Sequence, residues 1–450
     1  MTSYNEKIVS GFKNFIKISF VRDVGILQTG KFFSVFLGGI SSVALARLLQ
    51  PGLYGIYGLI FAFVGLIGIF IDWGGSYASL TLLAEAYARK DKEEIKNILT
   101  YFVKITLLAI VIIGVLSIIF APFLTDLIYQ NSQIGQWARI ILVAVFIGIF
   151  YNLLVIVLQS LRKIKKLAIL ELFNKVAYLI FPVGLLWVGF GLAGVIWGHF
   201  ISSFIFLILS LLIYSSLAQK KEYLPFLKEI FLNFKEIKIG KYFKFGFLIA
   251  IDKNIGRLLS LLPVLILGYL ASPAEIGYFK IALGYIMIPV MMFSPISRIL
   301  NVQLPKSKTY GVKVLENHFF KTALYSGFIA ILLVIPFIFL SPFLIKLFYG
   351  PEYTSSISLT YYLFILTVLS GFSVGLSAFY RAVDKMKISV ISGFGQIIMI
   401  MLLTFTLIKF YSPLMAVVLS LVISAFLFSV LNFLIIKIIL NKRHDQSFIN

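Results

Sequence analysis

Apolar runs of about 20 residues, parted by short polar breaks, recur along the whole chain, and each is long enough to cross a bilayer as a helix. They predict twelve membrane spans, at 24–48, 54–83, 98–121, 137–160, 167–188, 192–217, 242–270, 277–303, 320–345, 357–380, 388–408 and 413–437. Backbone amides find no water in hydrocarbon, so every span has to be helical. The alternating pattern of an outer-membrane barrel is absent. Apolar residues make up 60% of the chain and charged ones 13%. That is more apolar surface than one core can hide, which excludes a water-soluble domain.

The pattern also repeats on a larger scale. The stretch from Phe120 to Tyr129, FAPFLTDLIY, returns as LSPFLIKLFY from Leu340 to Tyr349. A similar offset of about 220 residues lays Gln50-Pro51-Gly52-Leu53-Tyr54-Gly55 on Ser272-Pro273-Ala274-Glu275-Ile276-Gly277, and the basic turn at Arg162 and Lys166 on that at Arg381 and Lys387. Six spans per half begin and end on one side of the membrane, so the halves are expected to be parallel copies about an axis along its normal. The predicted fold is an all-α polytopic membrane protein of two six-helix lobes.

The net charge of +22 suggests nucleic acid until its placement is considered. Lys and Arg gather on alternate breaks, as at Arg89 to Lys96, Arg162 to Lys166, Lys220 to Lys244, Lys306 to Lys313 and Arg381 to Lys387. By the positive-inside rule these breaks and both termini face the cytoplasm, with contact to anionic lipid as a secondary consequence. Two basic stretches carry apolar residues at near-helical spacing: Ile8, Phe12, Phe15, Ile16 and Phe20, then Leu224, Leu227, Ile230, Phe231, Phe234 and Ile237. The second reads as a connector on the inner leaflet or as a docking site for a partner. The chain thus divides into an interfacial helix at 1–23, an N-lobe at 24–217, a linker at 218–241, a C-lobe at 242–438 and a tail at 439–450. Cysteine is absent, which removes thiolate and disulfide chemistry. The outer loops are too short for the large catalytic loop of membrane polymerases and glycosyltransferases, and no phosphate-cradling loop, nucleophile elbow or zinc motif is present. A transporter rather than an enzyme is expected, and no cofactor.

Charges inside spans carry the functional information, because each costs about 2.5–3.5 kcal/mol at mid-membrane on an insertion scale. The seventh span holds three, Asp252, Lys253 and Arg257, near its centre. Lys253 and Arg257 are four apart and share a face. Together the three would cost about 8–10 kcal/mol against lipid, so this face is expected to be sheltered, as a cation site or within an ion-pair network. Lys31 lies about two turns into the first span, while Arg47, near its outer end, could also be a snorkelling anchor. Lys280 and Arg298 bracket the eighth span as gate cations or interfacial anchors. Asp72, before Trp73-Gly74-Gly75 where the helix should be irregular, could take Na⁺ or a proton, or neutralise Lys31 or Lys253.

The run SVALARLLQPGLYGIY, from Ser42 to Tyr57, resembles the LARLLGPEEYGLY signature of the polysaccharide transporter family. These are the Wzx-type repeat-unit flippases of the multidrug/oligosaccharidyl-lipid/polysaccharide exporter superfamily. The likeness continues through Asp72-Trp73-Gly74-Gly75 and Leu83-Ala84-Glu85, and departs from the family at Gln50, where Gly is common. The resemblance implies a V-shaped pair of lobes about a cationic cavity lined by spans 1, 2, 7 and 8. It also implies alternating access for a polyprenyl-diphosphate oligosaccharide in the cytoplasmic membrane of a prokaryote, working beside polysaccharide polymerases and glycosyltransferases. On it, Lys31, Lys253 and Arg257 would hold the diphosphate, with Na⁺ or proton antiport at Asp72 an addition to the membrane potential. The alternatives are a cation-coupled multidrug exporter, disfavoured because its cavity should carry acids or aromatics, and a lipid II flippase, which commonly has fourteen spans.

Overall fold

The computed structural model describes the backbone of residues 19–291 and 294–447, and among these there is no strand. The first half contains α1 (Ser19–Ile71), α2 (Gly75–Arg89), α3 (Lys92–Ala109), α4 (Val115–Tyr129), α5 (Ser132–Ile147), α6 (Ile149–Ser160), α7 (Ile164–Leu185) and α8 (Gly191–Lys220). A short α9 (Leu227–Leu232) lies in the linker. The second half holds α10 (Gly240–Leu270), α11 (Pro273–Met291), α12 (Ser294–Thr309), α13 (Val312–Tyr349), α14 (Ser355–Phe372), α15 (Leu376–Ala382), α16 (Met386–Leu407) and α17 (Pro413–Ser447). This is an all-α, multi-pass membrane protein. Most of the predicted helix at 1–23 lies outside the described residues.

Nine helical stretches among the described residues are long and apolar enough to cross a membrane. One covers 44 residues and another 57, about two and nearly three times the length that a 30 Å hydrocarbon layer requires, and each is interrupted where two predicted spans meet. In α1 the interruption is Gln50, with φ 62 and ψ 164, next to Pro51. Between α7 and α8 it is Gly189 and Gly191, both at positive φ. These features are compatible with the twelve spans expected.

Local geometry carries the duplication as well. Left-handed turn positions recur at the same offset, Arg162 (φ 52) with Asp384 (φ 59), and at nearly that offset, Lys90 (φ 56) with Gly311 (φ 112). The repeated prolines Pro122 and Pro342 lack an N–H, which frees the carbonyls of Ile118 and Ile338 inside their helices. Arg139 answers the first, its Nε donating to Ile118 O at 2.8 Å and its Nη2 to Ile119 O at 2.8 Å. The Ser341 hydroxyl answers the second, donating to Ile338 O at 2.9 Å. One problem, repeated, thus has two local solutions.

The chain forms two compact units, one of residues 1–48, 67–125 and 132–250 and the other of 49–66, 126–131 and 251–450. The first is built on Leu83, Ile98, Tyr101, Phe102, Leu154 and Val157. The linker is fastened to it through α3: Lys92 pairs with Glu222 at 2.8 Å, Asn233 donates to Asn97 at 2.9 Å, and the Lys104 ammonium donates to Phe234 O at 2.5 Å. Lys92 holds the Glu222 carboxyl below the usual carboxylate range. Ile230 is fully buried here while Leu232 stays 69% exposed, so the stretch embeds one face in protein and offers the other to its surroundings. The second unit packs Leu304, Phe319, Phe379, Tyr380 and Ile436. A network from Tyr380 through Asn432 to Ser392 ties α15, α17 and α16 together.

Candidate functional site: a charged stripe on a membrane helix

The middle of α10 exposes Lys253, Gly256, Arg257 and Ser260. Their spacing of i, i+3, i+4 and i+7 puts all four on one face. Nothing lies within 4 Å of a side-chain position built on Gly256, so the space beside the two cations is open. The opposite face is closed, with Ile255 and Leu262 buried. Exposed faces elsewhere in this unit are of the lipid-solvated kind, as on α13, where Leu324, Phe328, Leu332 and Phe339 are all more than half exposed. Lipid tails cannot solvate the α10 stripe, which therefore faces water or a polar ligand. Asn254 accepts from Arg257 at 3.3 Å, and Asp252 is half-buried beside the stripe.

Lys31 belongs to the other unit and is exposed on α1. It shares a face with Ser34, Gly38 and Ser42, and Gly38 again has open space beside it. The Ser34 hydroxyl donates to Gly30 O at 2.9 Å. The far side of the same helix exposes Phe32, Phe33, Phe36 and Ile40. So α1 presents a lipid-like face and a small, polar one. Arg47 is exposed three residues before the kink at Gln50.

Asp72 stands in the predicted irregularity, where the helix breaks between Ile71 and Gly75. Its Oδ1 accepts the Gly74 N–H at 3.1 Å, and Gly74 adopts φ 81. A Cβ on Gly74 would collide with the carbonyl of Gly246, and one on Gly246 with that of Gly74. The break is therefore also a close helix crossing, with Asp72 bonding the turn.

Lys280 is half-buried on α11, about 10 Å from its first residue at 1.5 Å per residue. Its ammonium lies 5.1 Å from the centroid of Tyr54 and 5.0 Å from that of Tyr57. Phe61 packs on Tyr57 at 4.7 Å, and Tyr353 stands edge-on to Tyr54. A cation held by two ring faces gains about 0.5–2 kcal/mol from each, comparable with the cost of placing it there. The rings stabilise this charge without cancelling it. The Arg298 side chain lies outside the described residues.

Residues 44–358 match the family described as polysaccharide biosynthesis protein. The chain belongs to that family. No curated protein matches it. Its fold is that of a multidrug resistance MATE family transporter of the MOP superfamily solved in an inward-facing conformation, with TM-score 0.74 and 16% identity over 92% of this chain and 96% of that one. The outward-facing form of a MATE family transporter gives 0.64 at 16% identity over 93% and 96%, and a MATE protein in complex with MaL6 gives 0.64 at 16% over 94% and 97%. The fold is the one these transporters have.

Sequence reasoning missed three groups in this polysaccharide biosynthesis protein. Tyr54 and Tyr57 were part of a motif with no assigned task, and only their place beside a lysine far along the chain gives them one. Lys104 and Arg139 pass for ordinary charges near span ends until the carbonyls they serve are known. Lys163, in the basic turn before α7, is held below the usual lysine range by burial and then by Lys166, Lys221 and Lys220. The clustering of basic breaks hinted at that one.

Proposed function

We propose that this protein is a flippase that moves a polyprenyl-diphosphate-linked oligosaccharide from the inner to the outer leaflet of the cell membrane by alternating access. The observation that carries the reading is the exposed Lys253, Gly256, Arg257 and Ser260 stripe in the middle of an otherwise lipid-adapted protein of a polysaccharide biosynthesis family. Two cations four residues apart, with open space between them, suit a diphosphate, whose several acceptor oxygens can take charge-assisted bonds from both heads. Lys31 on α1 adds a third cation, and the small residues around it leave room for a bulky headgroup. The lipid tails remain in the bilayer throughout, and both termini lie in the cytoplasm. Polymerases and glycosyltransferases that make or extend the glycan are the expected partners, with anionic lipids against the basic breaks.

The solved relatives in fold include multidrug resistance transporters. A site dominated by cations repels the cationic compounds such an exporter would carry, which favours the anionic cargo. The test is the Lys253→Gln, Arg257→Gln double variant in proteoliposomes loaded with fluorescent polyprenyl-diphosphate oligosaccharide. Translocation should fall at least tenfold, the effect of losing about 1.4 kcal/mol of binding, while insertion and yield stay normal. Unchanged translocation by the double variant removes the stripe from the mechanism.

A further inference from the structure

The repeated motif meets its own copy. Pro51-x3-Gly55 opens the second part of α1, and Pro273-x3-Gly277 opens α11. A Cβ added to Gly55 would overlap the Pro273 carbonyl, and one added to Gly277 would overlap the Pro51 carbonyl. The contact is reciprocal, each copy offering its glycine to the other's proline, and backbones approach as only glycine allows. One turn further the equivalent positions are Gly58 and Lys280, and these also touch. A Cβ on Gly58 would fall on the lysine stem, its Nζ 2.9 Å away. The glycine makes the notch and the lysine fills it. Above the notch, Tyr54 and Tyr57 of the same helix take the ammonium on their faces. One copy of the motif thus supplies a slot and two rings, and the other supplies a charged bolt.

Rings hold an ammonium through their quadrupole and leave its charge intact. A phosphate-type anion carries full charge and several acceptors, so it binds the same ammonium more strongly. We infer that Lys280 is an anion-responsive latch. With the ammonium on Tyr54 and Tyr57 the two motif copies stay closed, and a phosphate-type headgroup that draws it off lets them part. Lys280 is then a second contact for the cargo, reached when the carrier changes state. This rests on the reading of the cargo as an anionic headgroup.

The chain has no cysteine, so a single Leu59→Cys substitution gives a clean reporter. Leu59 is 3% exposed and packs where Gly268 of α10 meets the second part of α1. Maleimide labelling of L59C, as full-length protein in nanodiscs, therefore measures how far the second part of α1 opens, one residue from the Gly58 notch that Lys280 fills, without any transport assay. Inorganic pyrophosphate, or polyprenyl diphosphate in the nanodisc, should raise the labelling rate severalfold. Adding Lys280→Met should give the raised rate with no anion present and no further response. Tyr57→Leu, which leaves the lysine in place, should also raise the resting rate, and Lys280→Arg should preserve the response. The response should survive in the Lys253→Gln, Arg257→Gln background. Resting rates unchanged by both K280M and Y57L overturn the latch. No response to either anion in the parent, or a response lost with Lys253 and Arg257, overturns its control by anions at Lys280. Failure of the flippase reading instead appears as undiminished translocation by the stripe variant.

Discussion

Arg139 illustrates why a membrane cation need not touch cargo. Pro122 leaves the Ile118 carbonyl without its helical donor, and the guanidinium supplies bonds to Ile118 and Ile119 at 2.8 Å each. Removing it strands the Ile118 carbonyl away from water, at about 1–3 kcal/mol, and takes a second bond from Ile119, whose helical donor remains. Arg139→Met should therefore lower the thermal midpoint in detergent, and Arg139→Lys should recover part of the loss because an ammonium reaches one carbonyl more readily than two. Translocation per folded molecule should stay near the parent value. A normal midpoint for the methionine variant would show that water already serves the Ile118 carbonyl. Lys253 and Arg257 are distinguished from Arg139 by exposure: their heads stand on an open polar face instead of closing a gap in the backbone.

At the scale of elements, two glycines of one motif make opposite predictions. Gly52 has nothing within 4 Å of its side-chain position, whereas Gly55 lies against the Pro273 carbonyl. Gly52→Ala should be neutral or slightly stabilising, since alanine favours helix by up to about 1 kcal/mol. Gly55→Ala should destabilise, because the obstacle is backbone and cannot swing aside. Differential scanning fluorimetry of both variants checks the pair, and equal midpoints would mean that the crossing tolerates a methyl group. The motif was legible in the sequence as a repeat, as were the spans, the break after Asp72 and the turn at Gly189, because hydropathy and glycine placement are local signals. The crossing was not legible. It joins residues about 220 apart, and nothing near Gly55 specifies which backbone will lie upon it. The same holds for Lys104, whose acceptors are 130 residues away in the linker. The charged stripe fell between these cases: i, i+4 spacing gave its shared face, but whether that face met lipid, protein or water needed the exposure of its neighbours.

At the scale of the whole molecule, the proposed flippase needs a force that drives cargo one way. An inside-negative potential favours outward movement of an anionic headgroup by about 2.3 kcal/mol per charge per 100 mV. A diphosphate with two charges would gain about 4.6 kcal/mol at 100 mV, roughly a thousandfold in leaflet distribution. The potential is therefore strong enough to act without an ion partner. Proteoliposomes with a potassium diffusion potential and neither a Na⁺ nor a proton gradient should move labelled polyprenyl diphosphate toward the positive side, and valinomycin with equal potassium should abolish the bias. Asp72 supplies the contrasting case. Its Oδ1 accepts the Gly74 N–H across the helix break, and the amide oxygen of asparagine can accept the same bond, so Asp72→Asn keeps the geometry and removes only the charge. If the carboxylate carries Na⁺ or a proton, the variant should lose any acceleration by an imposed ion gradient and retain its response to potential. A variant that still responds to the gradient as the parent does assigns Asp72 to holding the break alone.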